Sequence, residues 1–205
     1  MKNMMTRMRG VISSAMAAVL AATLLVVVPP PAPAAATSDG LGRHLMGMYP
    51  QWNADNPDRF GAVAGRAMES LTLFLDKDKW SETSSSARGL VNLWRDHPSL
   101  KVVSFPMSID GETLAYGNSG ANDANIRNIA QILLDGGFEG SVIRVGWEHN
   151  GNWSTWSSLD DPDAYTAYYR RIVDIFRDVS PSWRFEWNVN IRYNEVDLRS
   201  YPGDD

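Results

Sequence analysis

Runs of apolar, β-branched and aromatic residues recur along the chain, and segments with helical spacing separate them. Several of these runs are apolar at consecutive positions, which is typical of strands in a parallel sheet that is buried on both faces. The pattern predicts five strands, which are Leu45–Tyr49, Leu71–Leu75, Lys101–Pro106, Ser141–Trp147 and Arg184–Asn190.

The segments between the predicted strands carry helix signals. An asparagine–proline pair at 56–57 and an aspartate–proline pair at 161–162 each place a capping side chain before a proline at the first helical position. The segment Asn122–Asp135 has apolar residues at helical spacing, and the glycines at 136–137 predict its end. The segment Asp163–Val179 repeats this pattern, and we expect its tyrosines on the packed helix face.

Five strands that alternate with four helices predict βαβ units and a parallel sheet. Two architectures fit, an open doubly wound sheet and a (β/α)8 TIM barrel. A doubly wound sheet predicts a glycine-rich phosphate loop after the first strand, whereas this strand leads into the sequence YPQWN at 49–53. A barrel places its chemistry in the loops that follow its strands, and here those loops hold the polar and aromatic residues.

We therefore predict an α/β fold of the (β/α)8 TIM barrel type, with about the first five βα units present in this chain. Such a barrel takes roughly 250 residues. For that reason we expect the sequence to be a C-terminally truncated piece of a longer barrel.

The N-terminal segment has the features of an export signal. Basic residues precede an almost wholly apolar run, Val11–Val28, and the small residues at 34–36 form a cleavage site. We predict a signal peptide over residues 1–36, a barrel domain over residues 37–205, and secretion. An uncleaved signal anchor is the alternative, because the apolar run is close to the shortest length that spans a membrane.

Composition and charge exclude several kinds of site. The chain has no cysteine, which excludes disulfides, thiolate metal sites and cysteine nucleophiles, and its 3 histidines argue against a multi-histidine metal site. The net charge of −5 offers no basic stripe for nucleic acid. We predict no cofactor, no metal, no nucleic-acid partner and no membrane contact after signal cleavage. Neither composition nor charge predicts an oligomeric state.

The loop after the fourth predicted strand combines a carboxylate with aromatic and amide side chains, in the sequence VIRVGWEHNGNWSTW at 142–156. Sugar rings place their C–H faces on indoles, their hydroxyls bond amide and guanidinium groups, and a glycosidic oxygen needs a carboxylic acid to protonate it. We predict Glu148 as the catalytic residue. The predicted substrate contacts are Arg144, Trp147, His149, Asn150, Trp153, Trp156, Tyr49, Trp52, Asn188 and Asn190.

Arg144 and Glu148 are four positions apart, so on a strand they would share one face and point together into the barrel mouth. The alternative is a structural ion pair between them.

Some of the other residues also have a structural alternative. Trp147 fits either a core or the floor of a sugar site, and Asn150 fits either ligand binding or a turn with Gly151. Glu186 is predicted to be a structural partner for an arginine. Trp153 and Trp156 lie among small polar residues, which predicts that both rings lie outside the core.

The sequence RVGWEHNG at 144–151, followed by Trp153 and Trp156, resembles the fourth-strand motif of glycoside hydrolase family 26. In that family an arginine stands four residues before the acid/base glutamate, and Asn-Gly and tryptophans follow. Its members are (β/α)8 barrels of the larger retaining clan, mostly endo-β-mannanases, with some β-glucanases and β-xylanases. The resemblance implies that Glu148 is the acid/base and that Arg144 holds the carboxylate network beneath it.

The sequence departs from the family pattern at two points. Trp147 stands where the family usually has a histidine, and histidine follows the glutamate instead, as His149. The family's nucleophile comes from a seventh strand, which we expect beyond residue 205.

We therefore predict a secreted, endo-acting β-glycanase that hydrolyses a β-1,4-linked polysaccharide with retention. Mannan is favoured over β-glucan and xylan. The rival hypothesis is a non-catalytic carbohydrate-binding protein, in which the same aromatic residues hold a glycan and Glu148 only accepts hydrogen bonds. A doubly wound hydrolase of another chemistry would need a Gly-x-Ser-x-Gly turn, which the sequence lacks.

Overall fold

The computed structural model describes residues 45–192 and 196–203. The expected signal peptide and its apolar run lie outside the described residues. Within the described ranges, no helix combines the length and the apolar character that crossing a membrane requires.

Five parallel strands form one sheet, and their order in the sheet is their order along the chain. The strands are β1 Gly47–Met48, β2 Ser70–Phe74, β3 Leu100–Phe105, β4 Val142–Val145 and β5 Arg184–Trp187. All five predicted strands are therefore present. A doubly wound sheet reverses its strand order at a switch point, and the described sheet contains no such reversal. The arrangement is consistent with a partial (β/α) barrel.

Helices connect the strands, as the alternating pattern predicted. They are α1 Asn56–Ala64, α2 Trp80–Trp94, α3 Leu114–Asn118, α4 Asp123–Asp135 and α5 Pro162–Val179, and a 3-10 helix covers Leu198–Ser200. The predicted cap of α5 is confirmed, because Asp161 accepts a hydrogen bond from the backbone N–H of Ala164 at 2.8 Å. At α1 the capping position is Asp55, and its side chain makes no capping bond.

The helices lie next to one another, with α4 in contact with both α2 and α5. Right-handed crossovers between strands in sequential order place successive helices on the same face of a sheet. Leu71 and Leu73 of β2 and Ile143 and Val145 of β4 are buried in the core, and so are the tyrosines of α5, as predicted.

The opposite face of the sheet is only partly buried. Thr72 and Phe74 on β2, and Arg144 on β4, are half-buried, as is Glu186 on β5. The prediction that both faces would be buried is therefore wrong for these strands. Polar side chains occupy this second face, and the candidate chemistry lies at its end.

All five strands end earlier than the sequence predicted, by one residue in β1, β2 and β3, by two in β4 and by three in β5. β4 ends at Val145 instead of Trp147, and β5 ends at Trp187 instead of Asn190. The physical reason at β4 is Gly146, whose φ of 55° is incompatible with a strand. Trp147 and Glu148 consequently belong to the turn that follows.

Candidate active site

Glu148 lies in the turn that directly follows β4, at the edge of the sheet where the parallel strands end. Two residues of this turn are left-handed, Gly146 with φ 55° and Glu148 with φ 52°. Position 146 requires glycine, because a Cβ there would lie 2.3 Å from Sδ of Met107. For a residue with a side chain the left-handed conformation costs about 1–2 kcal/mol, so the contacts around Glu148 have to hold it.

The left-handed residues redirect the chain between Arg144 and Glu148. The prediction that both side chains share one strand face is therefore wrong. Arg144 instead forms an ion pair with Glu186, in which Nε donates to Oε1 at 3.1 Å. The two residues are register partners on β4 and β5, and their side chains are 19% and 32% exposed. The prediction that Glu186 is the structural partner of an arginine is confirmed.

Asn188 links this ion pair to the backbone of Glu148. The N–H of Glu148 donates to the backbone O of Asn188 at 3.1 Å and to its side-chain Oδ1 at 3.2 Å. The same amide group donates from Nδ2 to Oε1 of Glu186 at 3.4 Å. Asn188 therefore touches both the predicted acid and the carboxylate beneath it.

A second connection joins the two loops through Asn150 and Asn190. Asn150 is buried, and its side-chain amide bonds both the N–H and the carbonyl of Asn190. These bonds occupy the amide, so we reassign Asn150 from a substrate contact to a support of the turn. Asn190 contributes its backbone to this contact and stays half-buried.

His149, the next residue after Glu148, is fully buried. Its ring stacks between Tyr165 of α5, at 4.5 Å, and Trp187 of β5, at 5.1 Å. Nδ1 lies 2.8 Å from Oγ of Ser158, whose N–H also donates to the carbonyl of His149 at 2.8 Å. Burial lowers the pKa of His149 to about 4, so the ring is neutral near pH 7. A ring with no exposed surface cannot stack on a sugar, and we reassign it to a support as well.

A row of aromatic rings crosses the strand ends beside Glu148. Tyr49 meets Phe74 at 5.1 Å, Phe74 meets Trp147 at 5.3 Å, and Trp147 meets Trp156 at 4.6 Å, all edge to face. Trp156 is 1% exposed and donates from Nε1 to the carbonyl of Trp147 at 2.9 Å. The prediction that its ring lies outside the core is therefore wrong. It supports Trp147, which is half-buried.

Three predicted sugar contacts are exposed rings. Tyr49, Trp52 and Trp153 expose 49%, 53% and 44% of their surface. Two of these rings pack against glycines. Trp52 lies against Gly89 of α2. Trp153 lies so close to Gly151 that a Cβ there would be 2.3 Å from the indole. All three rings therefore keep surface that a sugar could contact.

Sequence reasoning missed Phe74, Tyr165 and Ser158 as parts of this site. Phe74 had a usable signal, because an aromatic residue near the end of a predicted strand lies close to the other strand ends. Ser158 carries no local signal, since it approaches His149 only through the course of the loop. Tyr165 was correctly predicted to be core, but its stacking partner depends on the fold.

Neither of two further features adds to the site. Oxygens of Asp76, Asp78 and Glu82 lie within 4.8 Å of one another, but all three residues are exposed, and exposed acidic groups of this kind are common without an ion. A cavity of about 420 Å³ lies beside α5, β5 and residues 201–203, and none of the predicted site residues lines it.

Comparison with known proteins gives one distant similarity. The chain is 27% identical over 156 residues to Endoglucanase H of Acetivibrio thermocellus. The similarity covers 71% of this chain and 16% of that protein, so the chain spans only a small part of its relative. No protein-family model matches the chain.

Proposed function

We propose that the protein is a glycoside hydrolase that cleaves a β-linked polysaccharide with Glu148 as its acid/base. The observation that carries the proposal is the placement of Glu148. A carboxylate lies on a rigid turn at the ends of parallel strands, beside a row of aromatic rings. Active sites of barrel enzymes are built from the loops at this end of the strands. The name of the distant relative, an endoglucanase, supports the same reaction class.

In this mechanism Glu148 protonates the glycosidic oxygen as the bond breaks and later removes a proton from water. The fixed backbone around Glu148 supports this role, because an acid has to be held in one position relative to the leaving oxygen. Retention also requires a nucleophilic carboxylate about 5–5.5 Å from the acid. Glu186 is engaged with Arg144, so we assign it a structural role and do not propose it as the nucleophile.

The exposed rings of Tyr49, Trp52 and Trp153 would bind the polysaccharide on either side of the bond that is cut. Their exposure supports stacking on sugar faces, and the glycines next to Trp52 and Trp153 let those two rings lie close to the backbone. We propose a β-1,4-linked substrate. The motif resemblance favours mannan, and the name of the relative favours β-glucan. We also propose that the protein is exported, on the basis of the signal-like segment at 1–36.

The test is to express the full reading frame and assay release of reducing sugar from mannan, mixed-linkage β-glucan and xylan. The initial anomer of the product is followed by proton NMR. We expect turnover of one of these substrates with a β-anomer as first product. Glycan binding without any turnover would contradict the proposal and favour the carbohydrate-binding hypothesis. An α-anomer as first product would exclude the retaining mechanism.

A further inference from the structure

The backbone N–H of Glu148 has an unusual pair of acceptors, because both belong to Asn188. The carbonyl O lies at 3.1 Å and the side-chain Oδ1 at 3.2 Å. Glu148 is left-handed at φ 52°, a conformation that residues with a side chain seldom adopt unless their surroundings impose it. The contact with Asn188 therefore acts on the part of Glu148 that sets the direction of its side chain.

The orientation of the Asn188 amide is fixed by its other neighbour. Nδ2 faces Oε1 of Glu186 at 3.4 Å, and a carboxylate can only accept hydrogen bonds. Glu186 is in turn held by Nε of Arg144 at 3.1 Å. Because Nδ2 has to face the carboxylate, Oδ1 has to face the N–H of Glu148.

The result is a chain of contacts that begins on the sheet and ends on the predicted acid. Arg144 and Glu186 are register partners in neighbouring strands, so the first link is part of the rigid sheet. Asn188 follows the end of β5 and contacts the turn after β4, so it connects the ion pair to that turn. The sequence suggested that the Asn188 amide would face the cleft and bind sugar, but its donor and its acceptor are both turned toward the protein.

We infer that Asn188 is a positioning residue for Glu148 and not a substrate contact. This inference rests on the proposed function, because it assigns Asn188 a role in the acid/base step. Asn188 holds the carboxyl of Glu148 where the leaving oxygen departs. Without Asn188 the acid is present but displaced, and only those substrates that need protonation react more slowly.

The experiment uses two substrates that differ in their need for an acid. In a β-1,4-linked polysaccharide the leaving group is a sugar alcohol, which needs protonation to depart. A 2,4-dinitrophenyl β-glycoside of the same sugar instead releases a stable phenolate and needs no acid. In the full-length protein, Asn188→Ala should lower kcat on the polysaccharide by roughly 10- to 100-fold, the size of effect that a small misplacement of a catalytic group produces. Its kcat/KM on the dinitrophenyl glycoside, which reports glycosylation, should stay within about threefold of wild type.

Two variants accompany Asn188→Ala. Asn92→Ala removes an exposed asparagine of α2 and should leave both substrates unaffected. Asn188→Asp keeps an oxygen toward Glu148 but presents a second carboxylate to Glu186. It should show the same selective loss, and it serves as the test if Asn188→Ala does not fold.

The outcomes separate this inference from the proposed function. Equal losses on both substrates, together with weaker polysaccharide binding, would make Asn188 a substrate contact and overturn the inference. Behaviour indistinguishable from Asn92→Ala would also overturn it. Glu148→Ala is measured in parallel, and it should lose polysaccharide activity while retaining glycosylation by the dinitrophenyl glycoside. If Glu148→Ala lacks this selectivity, or the wild type is inactive, the proposed function itself fails and the inference falls with it.

Discussion

The side chain of Asn150 bonds the backbone of Asn190 as a neighbouring strand would. Nδ2 donates to the carbonyl of Asn190 at 2.9 Å, and Oδ1 accepts from its N–H at 2.8 Å. The two loops therefore stay joined beyond Val145 and Trp187, the last residues of the β4–β5 pairing. Because Glu148 lies between the strand and this contact, its turn is anchored on both sides.

Removing the Asn150 donor should weaken the folded state. In Asn150→Asp an oxygen replaces Nδ2 and faces the carbonyl of Asn190, at a buried position. We expect the free energy of unfolding, measured with urea at pH 7, to fall by about 1–3 kcal/mol, the usual cost of an unsatisfied buried group. The same exchange at exposed Asn92 should change it by less than about 0.5 kcal/mol. Equal effects at the two sites would show that the contact with Asn190 contributes nothing.

Acid should destabilise the protein through His149. Burial lowers the pKa of His149 from 6.5 to about 4, so between these values the unfolded chain binds a proton that the folded protein does not. The free energy of unfolding should therefore fall as the pH decreases from 6.5 toward 4. The full effect is about 3 kcal/mol, at about 1.4 kcal/mol for each pH unit between the two values.

The structure explains why a proton on His149 is unfavourable. Nε2 is buried and has no hydrogen-bond partner in the described residues. Burial also raises the pKa of neighbouring Tyr165 well above 10, so that ring stays neutral and offers no negative charge to a protonated His149. His149→Asn should remove this part of the pH dependence, which is measured by urea unfolding at pH 4.5 and 7. A variant with the wild-type pH slope would show that other groups cause it.

Trp153 should contribute directly to glycan binding. Its indole is exposed and rests on Gly151, so Trp153→Ala removes stacking surface without opening the core. Calorimetry with a soluble β-glycan should show binding weakened by about 1–3 kcal/mol. Phe60→Ala, which removes a similarly exposed ring from α1, is the control and should bind normally. Unchanged affinity of Trp153→Ala would exclude it as a sugar contact.

Arg144 and Glu186 should be energetically coupled. Both side chains are partly shielded from water. Arg144→Met alone leaves the Glu186 carboxylate without its cation, and Glu186→Gln alone leaves the Arg144 guanidinium without its anion. A double-variant cycle in urea unfolding should give a coupling of about 1 kcal/mol. The exposed pair Arg127 and Asp178 is the matched control and should couple by less than about 0.5 kcal/mol. Equal coupling in both pairs would mean that shielding has no effect.

The strands and helices could be predicted from the sequence because they depend on local patterns. The apolar run around Ile143 and the Asp161–Pro162 start of α5 are visible without any knowledge of neighbours. The sequence predicted that Glu186 pairs with an arginine, because a carboxylate in mid-strand needs a positive partner, but which arginine it is depends on the register of β4 and β5.

The details of the turn could not be predicted, because they depend on contacts between distant segments. The left-handed Glu148 donates its backbone N–H to Asn188, which lies 40 residues further along the chain. Trp156 looked exposed among small polar residues, but its indole N–H reaches the carbonyl of Trp147 and its ring packs beneath that residue. The burial of His149 depends on distant segments too, since Tyr165 of α5 and Trp187 of β5 both stack on its ring.

The central claim is that Glu148 is the acid/base, and the most direct test is kcat of Glu148→Gln on the natural polysaccharide. The amide preserves the shape of the side chain but cannot protonate the leaving oxygen. We predict a loss of about 10²–10⁴-fold relative to wild type, the usual contribution of general acid catalysis. A kcat within about threefold of wild type would contradict the assignment, because no acid catalysis would then depend on this carboxyl.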